Sequence, residues 1–145
     1  VIINDQITLR GQLSITLHRA GQQPQTITEH NMIMTSAKSA LARLIAGQGS
    51  GKNINRIAFG TNGVGPTPND QAISEAYTKA VSAITFPTEG QARFAFTLSE
   101  SEANGLNIRE LGLLCADGTL FARKVRGLIE KTSDLSITGS WTIIF

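Results

Sequence analysis

The sequence predicts a mainly β protein, an antiparallel β-sandwich or jelly-roll-like barrel of about eight strands with one or two short helices. Three observations lead there. Strand-period alternation recurs along the chain, as in Gln6 to His18, where Ile7, Leu9, Leu13, Ile15 and Leu17 share one face and polar residues take the other. Turn-forming residues separate the apolar runs at short intervals. No regular strand-helix-strand alternation occurs, which argues against a parallel sheet. One domain, residues 1–145, accommodates the whole chain.

Taken in order, "RAGQQPQ" supplies Gly21 and Pro24 for a turn, and "TITEHNMIM" returns as the second strand of an N-terminal hairpin. At Thr35 and Ser36 the period changes. A hydroxyl N-cap followed by Ala37, Ala40, Leu41, Leu44 and Ile45 puts an apolar stripe on a short helix that Gly47 stops. The segment "AGQGSGKN" then invites comparison with a phosphate-binding loop. Its glycines are too closely spaced, Asn53 stands where a hydroxyl residue is needed, and a helix enters where a strand should, so it reads as a helix-to-strand connection.

"INRIAFG" is strand-like, with Ile57 and Phe59 on one face, and "GTNGVGPTPND" is a breaker-rich loop. Thr67 and Pro68 open a possible second helix through Ala72, Ile73, Ala76 and Tyr77. "VSAITFP" and "QARFAFTLSE" read as strands, the latter with Ala92, Phe94, Phe96 and Leu98 inward. "LNIRELGLLC" and "GTLFARKV" flank "CADG", whose Asp-Gly is a two-residue hairpin signal. "LSITGSWTIIF" turns Leu135, Ile137, Trp141, Ile143 and Phe145 to one side.

Composition narrows the function. Hydrophobic residues at 41% and charged residues at 17% fit a compact, rather neutral protein, and a formal charge of +2 is too small for strong capture of nucleic acid. The run Arg123-Lys124-Val125-Arg126 reads as a solvated strand end or a contact for an acidic partner. Phe94 and Phe96 flank Arg93, but alternation sends the rings to the opposite face, unlike a base-stacking surface. The lone Cys115 excludes an intramolecular disulfide and a thiolate zinc cluster. No run reaches membrane-spanning length and no signal core follows the N-terminus, so a soluble protein made in a reducing cytoplasm, without membrane partners, is expected.

No chemistry assembles in the sequence. His18 and His30 lie near the ends of the hairpin strands without carboxylates at metal-ligand spacing. Ser50 is not in a nucleophile elbow. Glu100 and Glu102 sit in a polar loop where each is expected to be solvated separately, and Asp117 belongs to its turn. The expectation is a non-enzymatic protein with no metal, no cofactor and no catalytic residue, working through outward faces.

The order of segments resembles the tail-collar and tail-fibre attachment family of tailed bacteriophages and related small virion proteins. "NMIMTSAKSALARLIAG" is similar to the family's opening helix and "INRIAFGTNGVGPTPND" to the strand and loop after it. The likeness is clearest in "IRELGLLCADGTLFARKV", where Ile108, Arg109, Glu110, Gly112, Leu113, Asp117, Gly118 and Leu120 match the family's Ile-Arg-Glu-x-Gly-Leu-x-x-x-Asp-Gly-x-Leu segment. The family-like part covers residues 31–145, and the hairpin of residues 1–30 is additional. No trimeric shaft follows Phe145, so a stand-alone tail, baseplate or fibre-attachment component is expected, with a capsid decoration protein as the alternative.

The resemblance implies location in the virion after synthesis in the host bacterial cytoplasm, other phage structural proteins as partners, and a homo-oligomer, a trimer by analogy with the fibre proteins. Strand faces rich in Thr, Ser, Gln and Asn suit low-charge protein contacts. Arg109, Glu110, Arg123, Lys124 and Arg126 are the expected interface residues, Arg109 and Glu110 being alternatively a local exposed pair. A carbohydrate-binding host-recognition module is the further alternative, although Trp141 and Tyr77 are expected to pack inward rather than form an exposed platform.

Overall fold

The computed structural model describes residues 8–145, and Gln6 and Ile7 of the expected first strand lie outside them. Nine strands and one helix follow in order: β1 (Arg10–Arg19), β2 (Gln25–Ile33), α1 (Thr35–Ile45), β3 (Ile54–Gly60), β4 (Tyr77–Ala80), β5 (Ala83–Thr85), β6 (Gln91–Leu98), β7 (Asn107–Cys115), β8 (Leu120–Glu130) and β9 (Leu135–Ile144). All pairings are antiparallel, in the order β4-β3-β7-β8-β2-β1-β9-β6-β5. The fold class is the one the alternation predicts, built on one curled sheet.

Curling follows from the connection between the two end strands. β4 and β5 stand at opposite ends of the strand order, yet only Val81 and Ser82 separate them. The Val81 amide donates to the Asn55 carbonyl (3.0 Å), following β4 along β3, and the Ser82 amide donates to the Ala95 carbonyl of β6 (2.8 Å). The two halves therefore face one another, and Phe59 of β3 meets Phe96 of β6 edge-on, centroids 5.9 Å apart at 72°. Leu13, Ile15 and Leu17 of β1 and Trp141 of β9 are buried in the same core, as their period requires.

The helix forms where the period changes, but its start differs from the expectation. Met34 is the N-cap and makes no side-chain cap bond. The Thr35 amide donates instead to the Pro68 carbonyl (2.8 Å), and the Ser36 hydroxyl is turned to the Leu120 carbonyl. A tertiary contact thus does the work of a local cap. Ala37 and Ala40 are buried and Leu41 half-buried, whereas Leu44 and Ile45 of the expected stripe are exposed. The "AGQGSGKN" segment is a connection: the Gly51 carbonyl accepts from the Asp117 amide (2.9 Å), and Lys52 pairs with Asp117 (2.7 Å).

Three further expectations are corrected. Residues 67–77 do not form a helix. Asp70 takes the Thr67 amide and hydroxyl, Glu75 has a positive φ of 48°, and only Ile73 and Tyr77 of the four apolar positions turn inward. The Asp-Gly turn is not a two-residue hairpin. Gly118 alone takes positive φ, at 92°, the Gly118 amide donates to the Cys115 carbonyl, and the Cys115 amide donates to the Thr119 carbonyl. That is a type I turn closed by a glycine bulge. Finally, Arg123 to Arg126 is no strand end, because β8 continues to Glu130.

β2 changes partners along its length. Gln25 to Asn31 pair with β1, then Met32 and Ile33 pair with Arg123 and Ala122 of β8. Asn31 marks the change: its side-chain carbonyl accepts from the Trp141 indole N–H (2.9 Å) and lies over Gly11, where an added Cβ would fall 2.0 Å from it. Gly11→Ala is therefore expected to push Asn31 off Trp141 and leave a buried donor unpaired, destabilising the protein by about 1–3 kcal/mol in chemical denaturation. Wild-type stability would show that Asn31 is not the pivot.

Candidate functional site

A loop held from below by buried charge is the most constrained surface feature. Gly60 of β3 stands directly opposite the carboxylate-bearing Glu110 of β7, and Gly112, two residues along β7, points to the same face opposite Ala58. Their missing side chains leave room for Ile73, which would lie 2.3 Å from a Cβ at Gly60 and 2.7 Å from one at Gly112. The loop of residues 61–76 is thereby seated on the sheet, with Ile73 in place of a helical face.

Polar contacts complete the seating. Glu110 is fully buried and Arg123 is 2% exposed. One carboxylate oxygen of Glu110 accepts from Arg123 Nη2 (2.6 Å) and Nε (3.1 Å), and the other accepts from the Ser74 amide (2.6 Å). Arg123 Nη1 donates to Asp70 (2.9 Å), while Nη2 also donates to the carbonyls of Asn62 and Val64 (3.1 Å each). The planar guanidinium fork suits such divergent acceptors. The Thr67 amide and hydroxyl, and then Arg123, hold the Asp70 carboxyl below its ordinary value.

The result is an exposed tip tethered at both carbonyls that flank Gly63. The Asn62 side chain accepts from the Val64 amide (2.9 Å), an Asx turn, and Val64 stands 70% exposed between Gly63 and Gly65. Loop carbonyls that would otherwise fluctuate in water are fixed by a cation the sheet already buries.

The five expected interface residues separate. Glu110 and Arg123 are buried beneath the loop, on the sheet face opposite the main core, and the expected exposed Arg109–Glu110 pair is replaced by a buried Glu110–Arg123 pair. The β8 register alternates faces, and the glycines opposite create the cavity that accepts the charge. Arg109 is half-buried under Gly63, its Cδ 3.2 Å from where a Cβ there would lie. Lys124 and Arg126 reach across to Glu29 of β2, at 2.9 Å and 3.5 Å.

Other charged groups fasten loops. Glu102 is not separately solvated: it accepts from Lys79 (2.6 Å), Tyr77 (3.0 Å) and the Ser99 amide (3.0 Å). Lys79 first, then the Ser99 amide, depress its carboxyl to about 2. Lys52 holds Asp117 well below the usual carboxylate range. Lys131, fully buried, gives its ammonium to Asn104 (2.8 Å) and to the carbonyls of Thr132 (3.1 Å) and Glu100 (3.4 Å), and burial lowers its pKa. Burial pushes the Cys115 thiol up to about 11, away from nucleophilic use.

Among the described residues, no three His, Cys, Asp or Glu side chains gather as a metal-holding group. His18 bonds Thr138 (3.1 Å) and His30 is exposed on β2. Among the described residues, no helix is long and apolar enough to cross a membrane. No protein-family model, no curated protein and no solved structure matches the chain.

Sequence reasoning missed Asp70, Asn62 and Lys131. Nothing local marks Lys131. For Asp70, the Thr-x-x-Asp spacing from Thr67 was a capping signal that a loop also satisfies.

Arg123→Met is expected to strand the Glu110 charge and cost about 3–5 kcal/mol in denaturant unfolding. Acid should act through Glu102, Asp70 and Asp117. Their depressed values stabilise the fold fully above the ordinary carboxylate range, about 4, and that contribution fades as pH falls toward 2. The melting temperature should drop across that interval, and Lys79→Met should make the drop shallower by removing the main cause of the Glu102 shift.

Proposed function

We propose that this chain is a non-enzymatic structural component of a tailed bacteriophage particle, assembling through protein contacts as a tail, baseplate or fibre-attachment protein. The observation that carries the reading is the Arg123 network, in which a buried guanidinium and the fully buried Glu110 carboxylate fix the shape of an outward loop. A catalytic centre would direct such groups into a cleft where a reactant could meet them. Here Arg123, although it borders a cleft, has its donors committed to Glu110, Asp70 and the carbonyls of Asn62 and Val64, and Glu110 is closed off from solvent.

Two features support the particle role. The residues that resemble the fibre-attachment segment, Ile108 to Leu120, coincide with β7, its turn and the start of β8, the elements that supply Glu110 and Gly112 beneath the loop. The tip itself is apolar and immobilised, so docking it costs little ordering entropy. Val64 is the centre of that contact, and partners are other structural proteins of the particle, with a homo-oligomer as the working state.

Immunogold labelling of particles from a lysate of producing cells, with antibody against this chain, is expected to decorate the tail or its baseplate. Val64→Asp should leave thermal stability nearly unchanged while lowering the particle-bound fraction at least about tenfold, a loss of 1.4 kcal/mol. Label found only in the soluble fraction would overturn the assignment. Label on the head alone would move the protein to capsid decoration.

A further inference from the structure

The sheet carries an opening that the loop site does not use. β2 and β8 continue in one antiparallel register, Met32 opposite Arg123 and Ile33 opposite Ala122, and then part. Extending that register would set Glu29 opposite Arg126. The side chains still obey it, since Glu29 bonds Arg126 and its neighbour Lys124, but the backbones do not pair there.

Each strand is bent away by its other partner. Along β8 the pairing with β7 jumps from Val125 opposite Glu110 to Ile129 opposite Ile108, so Arg126, Gly127 and Leu128 stand against Arg109 alone. Extra residues on one strand bend it and break its ladder. On the far side, Asn31 ties β2 to Trp141 and to β1. Among the described residues, 25–31 of β2 thus pair with β1 alone, and 124–130 of β8 have β7 alone beside them, with Arg126 to Leu128 in the bulge. Where the pairing ends lies a cleft of about 410 Å³ lined by the last pair, Met32 and Arg123, by His30, Asn31, Lys124 and Val125, and by Pro66 of the loop.

Two long free edges facing one another are uncommon in a settled sheet, which normally shortens, covers or pairs its edges. The outermost strands of this sheet obey that rule, β4 having four residues and β5 three. The seam does not. Its backbone donors and acceptors form the kind of template that an extended peptide completes by strand addition. Charge defines the peptide: along the edges Glu29 and Glu130 balance Lys124 and Arg126, and the adjoining cleft adds Arg10 and Lys38. The surplus is basic.

We propose that the seam between β2 and β8 takes up an extended acidic segment of a partner polypeptide as an additional strand. This rests on the assembly reading above and supplies it with a second attachment beside the Val64 tip, the loop rim bringing both to one side of the molecule. The added strand satisfies backbone groups on both edges, and its carboxylate shares Lys124 and Arg126 with Glu29.

The test uses the intact protein and a synthetic heptapeptide, acetylated and amidated, alternating threonine and valine around a central glutamate. Saturating peptide is expected to slow amide hydrogen exchange at least about tenfold within residues 25–31 and 124–130 and little elsewhere. The same peptide N-methylated at alternate residues, or carrying lysine for glutamate, should bind at least about tenfold more weakly, as should wild-type peptide with the Lys124→Glu protein.

The proposal is overturned by absent protection at millimolar peptide, by equal binding of the N-methylated peptide, or by seam protection that appears without peptide as copies associate in sedimentation. Particle labelling that succeeds while the peptide fails removes the seam and keeps the structural role. The converse result removes the particle and keeps the seam.

Discussion

A carboxylate and a guanidinium buried together set the terms for the rest of this molecule. Removing Glu110 and Arg123 from water costs several kcal/mol for each ion, and their mutual attraction offsets that only if the remaining donors and lone pairs are also satisfied. The sheet cannot satisfy them. The loop of residues 61–76 does so, through the Ser74 amide, the Asn62 and Val64 carbonyls and Asp70. Loop and pair are therefore conditional on one another, and a surface segment rich in glycine and proline acquires one shape.

That dependence reaches the helix and the seam. The carbonyl of Pro68, in the same loop, accepts the first amide of α1, and Pro66 forms the rim of the cleft between β2 and β8. Arg123 itself occupies the last register position before β2 and β8 part. The buried cation thus stands at the junction of three features: the exposed tip, the start of the helix and the opening of the sheet. The proposed assembly would use this side of the molecule, whose geometry is set in advance by buried contacts rather than by a partner.

How much of this was legible in the sequence follows from where the information lies. Alternation in Leu13, Ile15 and Leu17, or in Phe94 and Phe96, reports a local period, and the strands stand where it places them. The interval from Thr67 to Tyr77 misleads because spacing at Ala72, Ile73, Ala76 and Tyr77 mimics a helix, while the decisive contacts come from Glu110, Gly60 and Gly112, remote in sequence. Arg123 and Lys124 illustrate the same limit. Both are basic residues in one run, and only the register with β7 separates them, setting Arg123 opposite Gly112 beneath the loop and Lys124 opposite Leu111 on the other face, where it reaches Glu29. Glu110 reads as an interface residue in the sequence because nothing local shows that Ser74 and Arg123, remote in sequence, close over it. The parting of β2 and β8 was not readable, since it depends on a bulge opposite Arg109 and on the bond from Trp141 to Asn31.

The account stands or falls on the coupling between the two buried charges. A double-mutant cycle of Glu110→Gln and Arg123→Met, read by denaturant unfolding, measures it directly. The prediction is that the double variant is more stable than the sum of the single losses requires, with a coupling of at least about 1.5 kcal/mol, because removing both charges relieves the stranded partner. Additive losses would mean that the pair is incidental to the loop, and the structural argument built on it would fail.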